Sequence, residues 1–276
     1  MNIARSQDQK LNIVFIGAHP DDCDVDAGGT AIKFAQLGHR VLFVSTTNGD
    51  AGHFSKGGIA LAKIRKSEAE DAGKRMGITY KVLDNHDGLL MPDLNLRLQL
   101  IRIIREWKAD VVIGPRPYDY HPDHRNTAIA IQDAAFLVIV PKIAPETPAL
   151  KKNPVFLYTE DGFKKPNPFS PDIVVDITSV FELKIYGIAA HKSQFFEWLP
   201  WLAGQSASVP KTEAERLKWL AEKRKGIISK EMKAGLSKWY GQKADQVKYA
   251  EAFEICEYGS YPDDEKIKQL FPMLGK

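Results

Sequence analysis

Two short motifs carry the side chains best suited to chemistry. His19-Pro20-Asp21-Asp22 directly follows an apolar run, and His121-Pro122-Asp123-His124 follows another. Imidazole and carboxylate are typical zinc ligands, and catalytic zinc takes three protein ligands and leaves a position for water. Adjacent residues in an extended loop point in different directions, so Asp21 and Asp22 have different tasks. One binds the ion and the other faces its water. His121 and His124 are three apart at a helix start and can share a face, so one can ligate while the other reaches a substrate. Zinc lowers the pKa of bound water from 15.7 to roughly 7. A nearby carboxylate then accepts its proton, and the ion polarises a carbonyl, which is the equipment for hydrolysing an amide. Either motif alone is more often a polar turn, but the two together, each after a strand, favour a metal.

The elements that must position these loops are legible in the apolar pattern. Residues 11–17 and 41–47 read as buried strands, and 79–84 and 109–115 as a third and a fourth strand. Helical spacing fills the intervals at 27–40, 59–77 and 94–108, and a fourth helix opens at 121–139 with Pro122 at a favoured first position. This alternation predicts an α/β fold with a mostly parallel sheet and helices on both faces. Further strands are expected at 154–160 and 172–178 and a helix at 179–194. In the common strand order 3-2-1-4 the first and fourth strands are neighbours, and ligands bind where that order reverses. Both motifs would then face one cleft. The glycine pair Gly28-Gly29 is expected to bring a helix start close to the first loop and leave backbone N–H groups free.

Bulk properties narrow the classes further. The chain of 276 residues has a net charge of +3 and a pI near 8.6, too weakly basic to imply nucleic acid. No apolar run is long enough for a transmembrane segment, and "MNIARSQDQK" lacks the apolar stretch of a signal peptide. Cys23 and Cys256 make no disulfide framework and suit a reducing, cytoplasmic setting. Gly-x-Gly-x-x-Gly and the P-loop lysine are missing, and adjacent aspartates would repel phosphate, which argues against a nucleotide site.

"AHPDDCDVDAGGT", "TTNGDAGH", "KIRKSEAEDAGKRMGI", "YDYHPDH" and "AAHKSQ" together resemble the zinc-dependent N-acetylglucosaminyl de-N-acetylases, the PIG-L or LmbE-like family. The resemblance covers residues 11 to about 195. It implies a Rossmann-like de-N-acetylase core at 1–195 and a C-terminal helical or loop extension at 196–276, packed as a single domain. It implies that His19, Asp22 and His124 hold Zn2+, with Fe2+ an alternative ion. Asp21 would be the general base, and His121 the protonated partner that stabilises the oxyanion and protonates the leaving amine. Asp123 would orient a histidine, Arg65 would bind sugar hydroxyls, Asp50 is a candidate for a further sugar contact, and Asp119 would lie just behind the ligands. The family often has Glu after the first motif; here Cys23 stands there with Asp24 following, and a small buried residue is expected rather than a ligand or nucleophile. His53 and His86 read as loop histidines, and His191 matches a recurrent position of underived role.

The expected function is removal of acetyl from an N-acetylated amino sugar, a small-molecule substrate, by a cytoplasmic enzyme that forms a homo-oligomer. The alternatives are an amidase on an amino-sugar thiol conjugate and a non-catalytic carbohydrate-binding member of the fold. Asp21 and His121 argue against the latter, since binding alone needs neither. The aromatic stretch "FFEWLPWLAG" suits core packing, a sugar wall or an interface, and the Lys-rich segment 211–233 reads as a solvated face.

Overall fold

A computed structural model describes residues 10–276, so the signal-peptide expectation for the first residues lies outside the described part. The first half alternates strictly: β1 (Asn12–Gly17), α1 (Asp22–Gln36), β2 (Arg40–Ser45), α2 (Gly58–Met76), β3 (Thr79–Val82), α3 (Leu94–Trp107), β4 (Val111–Gly114), α4 (Pro122–Leu137). Next come β5 (Val155–Thr159), β6 (Ile173–Asp176) and α5 (Phe181–Ile188). A π-helical turn at Ser193–Trp198 leads into the short α6 (Leu199–Leu202). The chain ends with α7 (Glu213–Arg224), α8 (Lys230–Tyr240), β7 (Ala250–Cys256) and α9 (Asp264–Leu270).

The seven strands form one sheet in the order β3-β2-β1-β4-β5-β7-β6. Strands β3, β2, β1, β4 and β5 run parallel, and β7 pairs antiparallel with both β5 and β6. The order 3-2-1-4 inferred from the alternation is therefore present. Successive side chains of β1 feed opposite cores: Ile13 and Phe15 pack with α1, α5 and α8, whereas Val14 and Ile16 pack with α3 and α4. Burial on both faces explains why β1, β2 and β4 read as continuous apolar runs, whereas β3 at the sheet edge alternates exposed and half-buried residues. The sheet also takes β7 from beyond residue 196, inserted between β5 and β6. No described helix is long and apolar enough to cross a membrane.

Two element boundaries and the role of the glycine pair differ from expectation. Helix α1 starts at Asp22 rather than Ala27, so the first motif runs into the helix. The helix expected at 179–194 ends at Ile188 and resumes as a π-turn. The glycine pair lies inside α1, and its N–H groups are not left for a ligand. Lys184 Nζ bonds the Val25 carbonyl at 2.7 Å, the acceptor that Gly29 N–H would use in an unbroken helix. The N–H groups of Gly29 and Thr30 instead donate to the Glu251 carboxylate at 2.9 and 2.7 Å. Two side chains thus enter the helix ladder, and glycine makes room: a Cβ on Gly29 would meet Ile177 at 2.7 Å.

Candidate active site

Both motifs sit at the carboxyl ends of β1 and β4, neighbouring strands at the point where the strand order reverses. The first loop is held from β2 and the residues after it. Ser45 Oγ and Thr47 Oγ1 both donate to the Ala18 carbonyl, at 3.1 and 2.8 Å. Inside the loop, Asp22 Oδ2 accepts the N–H groups of Ala18 and His19, each at 2.8 Å. A Cβ on Gly17 would meet Asp22 Cβ at 2.7 Å, so only glycine lets β1 end this close to the carboxylate.

Three donor atoms converge here. His19 Nδ1 lies 3.2 Å from His124 Nε2 and 3.5 Å from Asp22 Oδ2, and His124 Nε2 lies 3.3 Å from the same oxygen. Atoms about 2.0–2.1 Å from a tetrahedral ion stand about 3.3–3.4 Å apart, so the triangle has the dimensions of three zinc-type ligands. The other nitrogen of each imidazole faces a carboxylate. His19 Nε2 is 3.1 Å from Asp87 Oδ1 and 3.3 Å from Asp123 Oδ2, and His124 Nδ1 is 3.0 Å from Asp119 Oδ1. That pairing fixes the tautomer and raises the basicity of a ligating histidine.

Donor atoms of His19, Asp87, His121 and Asp123 also lie within 4.8 Å of one another, as do those of His19, His121 and His124. The first of these groups gathers mainly on the Nε2 side of His19, where two carboxylates face one ring nitrogen. An N–H donor seeks that arrangement, which leaves the Nδ1 side of the ring open to a ligand.

The protein's own charges set the titration of this cluster. Burial works against charge on Asp22, but His124 and His19 hold its pKa well below the carboxylate range. Burial opposes protonation of the histidines, yet the surrounding carboxylates prevail. His19 is raised well above its ordinary value, chiefly by Asp22, and His124 is pushed up to about 10 by Asp22 and Asp119.

Asp21 has a different environment, as its separate task requires. Its Oδ1 accepts from Arg65 Nη2 at 2.8 Å, while Oδ2 has no protein donor among the described residues. Burial raises its pKa and Arg65 pulls it down. Arg65 is 2 % exposed and also bonds the Pro20 carbonyl at 3.2 Å. It is therefore engaged by Asp21 and the Pro20 carbonyl while it also borders the cleft. The glycines of "NGDAGH" explain how it fits: Gly49 has φ +69°, and a Cβ there would meet the Arg65 side chain at 2.7 Å. Deeper still, His191 Nε2 lies 3.2 Å from Asp24 Oδ1, both fully buried, and Tyr80 Oη donates to Asp24 Oδ2 at 2.9 Å. His191 thus pairs with an acid in the first turn of α1, two residues after Asp22.

His121 caps α4: its Nδ1 accepts the Asp123 N–H at 3.2 Å. The lone pair of Nδ1 is thereby engaged, which leaves a neutral ring carrying its proton on Nε2. Burial and the neighbouring His19 also lower its pKa. This differs from the protonated role expected, because an imidazolium would turn two N–H groups against each other. Asp123, fully buried, accepts from Gly88 and Leu90 N–H groups at 2.6 and 3.2 Å and so locks the loop carrying Asp87 against His19.

Asp50 does not reach the cleft. Its oxygens take the Asp87 N–H at 3.0 Å and His86 Nδ1 at 2.6 Å, so it supports that loop instead of touching a sugar. His53 bonds Glu197 at 2.9 Å, and Cys23 points at the Val44 carbonyl with burial pushing its thiol pKa up. Asp87 and Tyr120 border the cleft and were not singled out from sequence. Asp87 follows a strand-end loop with no motif of its own, and only the fold brings it to His19.

The cleft has a volume of about 740 Å³ and contains His19, Asp21, Asp22, His121 and His124. Its far wall comes from the aromatic stretch. Trp201 stacks between Phe54 and Trp198 at ring separations of 5.0 and 5.4 Å, and Phe54 stacks on His53 at 4.4 Å. Phe54 and Trp201 are half exposed to solvent, and of this ladder Trp198 is the member that lines the cleft.

Residues 14–135 match the family described as PIG-L, GlcNAc-PI de-N-acetylase. A diacetylchitobiose deacetylase from Thermococcus kodakarensis is 30% identical over 207 residues, which covers 69% of this chain and 74% of that protein. A probable N-acetyl-alpha-D-glucosaminyl L-malate deacetylase from Bacillus cereus is 30% identical over 218 residues, 76% of this chain and 94% of that protein. Among solved structures, a 4-carboxy-2-hydroxymuconate hydratase from Pseudomonas putida superposes with TM-score 0.68 at 21% identity, covering 92% of this chain and 98% of that one. That likeness speaks for the fold alone, which carries more than one chemistry. Sequence likeness over most of two deacetylases, together with both motifs facing one cleft, supports a single conclusion: the chain belongs to the PIG-L family.

Proposed function

We propose that this protein is a zinc-dependent hydrolase that removes acetyl from an N-acetylated amino sugar of the GlcNAc type. The observation that carries the reading is the triangle of His19 Nδ1, Asp22 Oδ2 and His124 Nε2, with Asp21 beside it as a buried carboxylate outside the triangle. When bound, the ion supplies a Lewis acid for water and for the acetyl carbonyl.

The chain's own residues do the rest. Asp21 accepts the proton of the attacking water on Oδ2, while Arg65 fixes Oδ1. His121 donates its Nε2–H to the carbonyl oxygen as that oxygen gains charge, as an oxyanion-hole donor does. The neutral ring has no second proton to give. Asp21 therefore returns the proton to the amine nitrogen as the C–N bond breaks, leaving the free amine and acetic acid, which gives up its remaining proton to solvent as acetate. Asp119, Asp123 and Asp87 hold the two ligating imidazoles. Arg65 acts as a positioning residue for Asp21.

A non-catalytic binding module is disfavoured by Asp21: a buried base with a raised pKa adds nothing to binding. An amidase on a thiol conjugate would use the same residues and differ in acyl group. Elemental analysis of purified protein, paired with acetate release from a panel of GlcNAc glycosides, tests the proposal. One zinc per chain with acetate released is the expected result. Failure to take up metal after incubation with zinc would overturn the site, and metal uptake without acetate release would overturn the substrate. Buried, unpaired Cys23 and Cys256 support a cytoplasmic location, which cell fractionation checks. Assembly into a homo-oligomer is checked by light scattering.

A further inference from the structure

A strip of large apolar side chains lies exposed on the α3 and α4 side of the sheet. Leu89 and Met91 precede α3, Leu94 opens it, and Ile129 and Phe136 lie on α4. Leu89 is 75% exposed, Met91 65%, Phe136 64%, Leu94 63% and Ile129 36%. The exposed Phe163 and Leu202, by contrast, line the cleft, where a substrate can cover them.

Local bonds bring the five side chains into one strip. Asn126 Nδ2 donates to the Leu90 carbonyl at 2.6 Å, and Arg97 bonds Asp133 Oδ2 at 2.8 and 3.1 Å. Leu94 stands one turn before Arg97. Ile129 and Phe136 stand one turn either side of Asp133, so on each helix these residues share a face. Together the five present on the order of 500 Å² of apolar surface, within the range of about 300–600 Å² for the largest patch on a monomer. A standard interface takes about 800 Å² from each partner, somewhat over half of it apolar. The strip therefore supplies the apolar share of one half of such an interface.

The charges at its centre narrow the occupant. Arg97 and Asp133 are bonded to each other, so neither is left to select an ionic partner. An apolar face whose central charges are paired internally is complementary to itself, as a twofold contact between identical chains requires. Phe and Met are also enriched at interface cores.

We infer that this strip is the surface on which a second copy of the chain docks, the same face meeting on both copies. The inference deepens the homo-oligomer reading above by naming its contact. The contact adjoins the site: Leu89 follows Gly88, whose N–H bonds Asp123, in the loop that brings Asp87 to His19.

The test follows light scattering against protein concentration for wild type, Leu94→Glu, Phe136→Glu and a control. The control is Ile227→Glu, which places the same charge on an exposed apolar residue of the connection between α7 and α8. Wild type should assemble at micromolar concentration or below, the range of a standard interface. Each strip variant should raise the dissociation constant by at least roughly 100-fold, because it sets like charges against each other across the contact. Ile227→Glu should assemble as wild type does.

Strip variants that assemble as tightly as wild type overturn the inference and leave the homo-oligomer reading standing with another contact. A loss of equal size in Ile227→Glu overturns it as well. A wild type that stays monomeric overturns both, and the strip then belongs to a different partner. If the strip variants fail to fold, hydroxyl-radical oxidation of wild type decides, since oxidation follows exposure. Met91 and Phe136 should be protected in concentrated protein relative to dilute, and equal oxidation at both concentrations overturns the inference.

Discussion

Asp21 and Asp22 are chemically identical neighbours with opposite environments. Asp22 is surrounded by N–H groups and imidazoles that stabilise its charge, and Asp21 is buried with one arginine. Asp21→Asn keeps the shape and removes the base. It should leave metal content unchanged while lowering kcat by roughly 10²–10⁴, the usual share of general base catalysis. Near-normal turnover in that variant would remove Asp21 from the mechanism. Arg65 provides a second, independent check. Burial raises the pKa of Asp21 and Arg65 lowers it. In Arg65→Met the lowering is lost, so the reactive carboxylate forms only at higher pH. The acid limb of the kcat/KM profile should move to higher pH, with activity recovering at alkaline pH. A limb that stays in place would mean that Arg65 does not act through Asp21.

At the scale of elements, the most exposed wager of the fold is the pair of side chains that bonds the backbone inside α1. Lys184 and Glu251 are 6 % and 4 % exposed, 2.8 Å apart, and both bond α1 backbone from α5 and β7. Glu251→Ala would leave a buried ammonium and two N–H groups unmatched. Removing one partner of a buried pair costs about 3–5 kcal/mol, so urea unfolding should show a loss of that order. A loss under about 1 kcal/mol, as for an exposed pair, would mean that Lys184 reaches water. This device also shows where sequence reading stopped. Strands β1, β2 and β4 to β6 and helices α1 to α4 were legible because their apolar period records burial, and the exposed edge strand β3 by its place in the alternation. Both loops were legible because strand ends at a reversal point collect function. The glycine pair was visible but misread, since its partners lie at residues 184 and 251 and no local pattern links them. β7 was hidden for a related reason: an antiparallel strand inserted late has no βα rhythm around it. Arg65 and Asp50 were recognised as important residue types, but their partners depend on packing that the sequence does not display.

For the molecule as a whole, an ion held by His19, Asp22 and His124 as proposed would tie the β1 end and α1 to α4 across the reversal point of the sheet, so its binding and stability would be linked. In the stripped protein the carboxylates recruit protons to His19 and His124 in place of the ion. His124 titrates at about 10 in the folded chain against an ordinary 6.5, and His19 is raised in the same direction. A raised histidine stabilises the fold fully below its unfolded pKa and loses that contribution as pH climbs through the folded value. The stripped protein should therefore lose stability from near pH 6.5 toward 10. The loaded protein carries no such protons, because ligating nitrogens must be deprotonated. Metal uptake at neutral pH should accordingly release protons, and the Tm difference between loaded and chelator-treated protein should widen as pH rises from 7 to 9. Calorimetric scans across that range, with and without chelator, make the comparison. A difference independent of pH would show that the two histidines are not protonated in the stripped site, and the carboxylates around them would then have another purpose than holding a ligand pair ready for an ion.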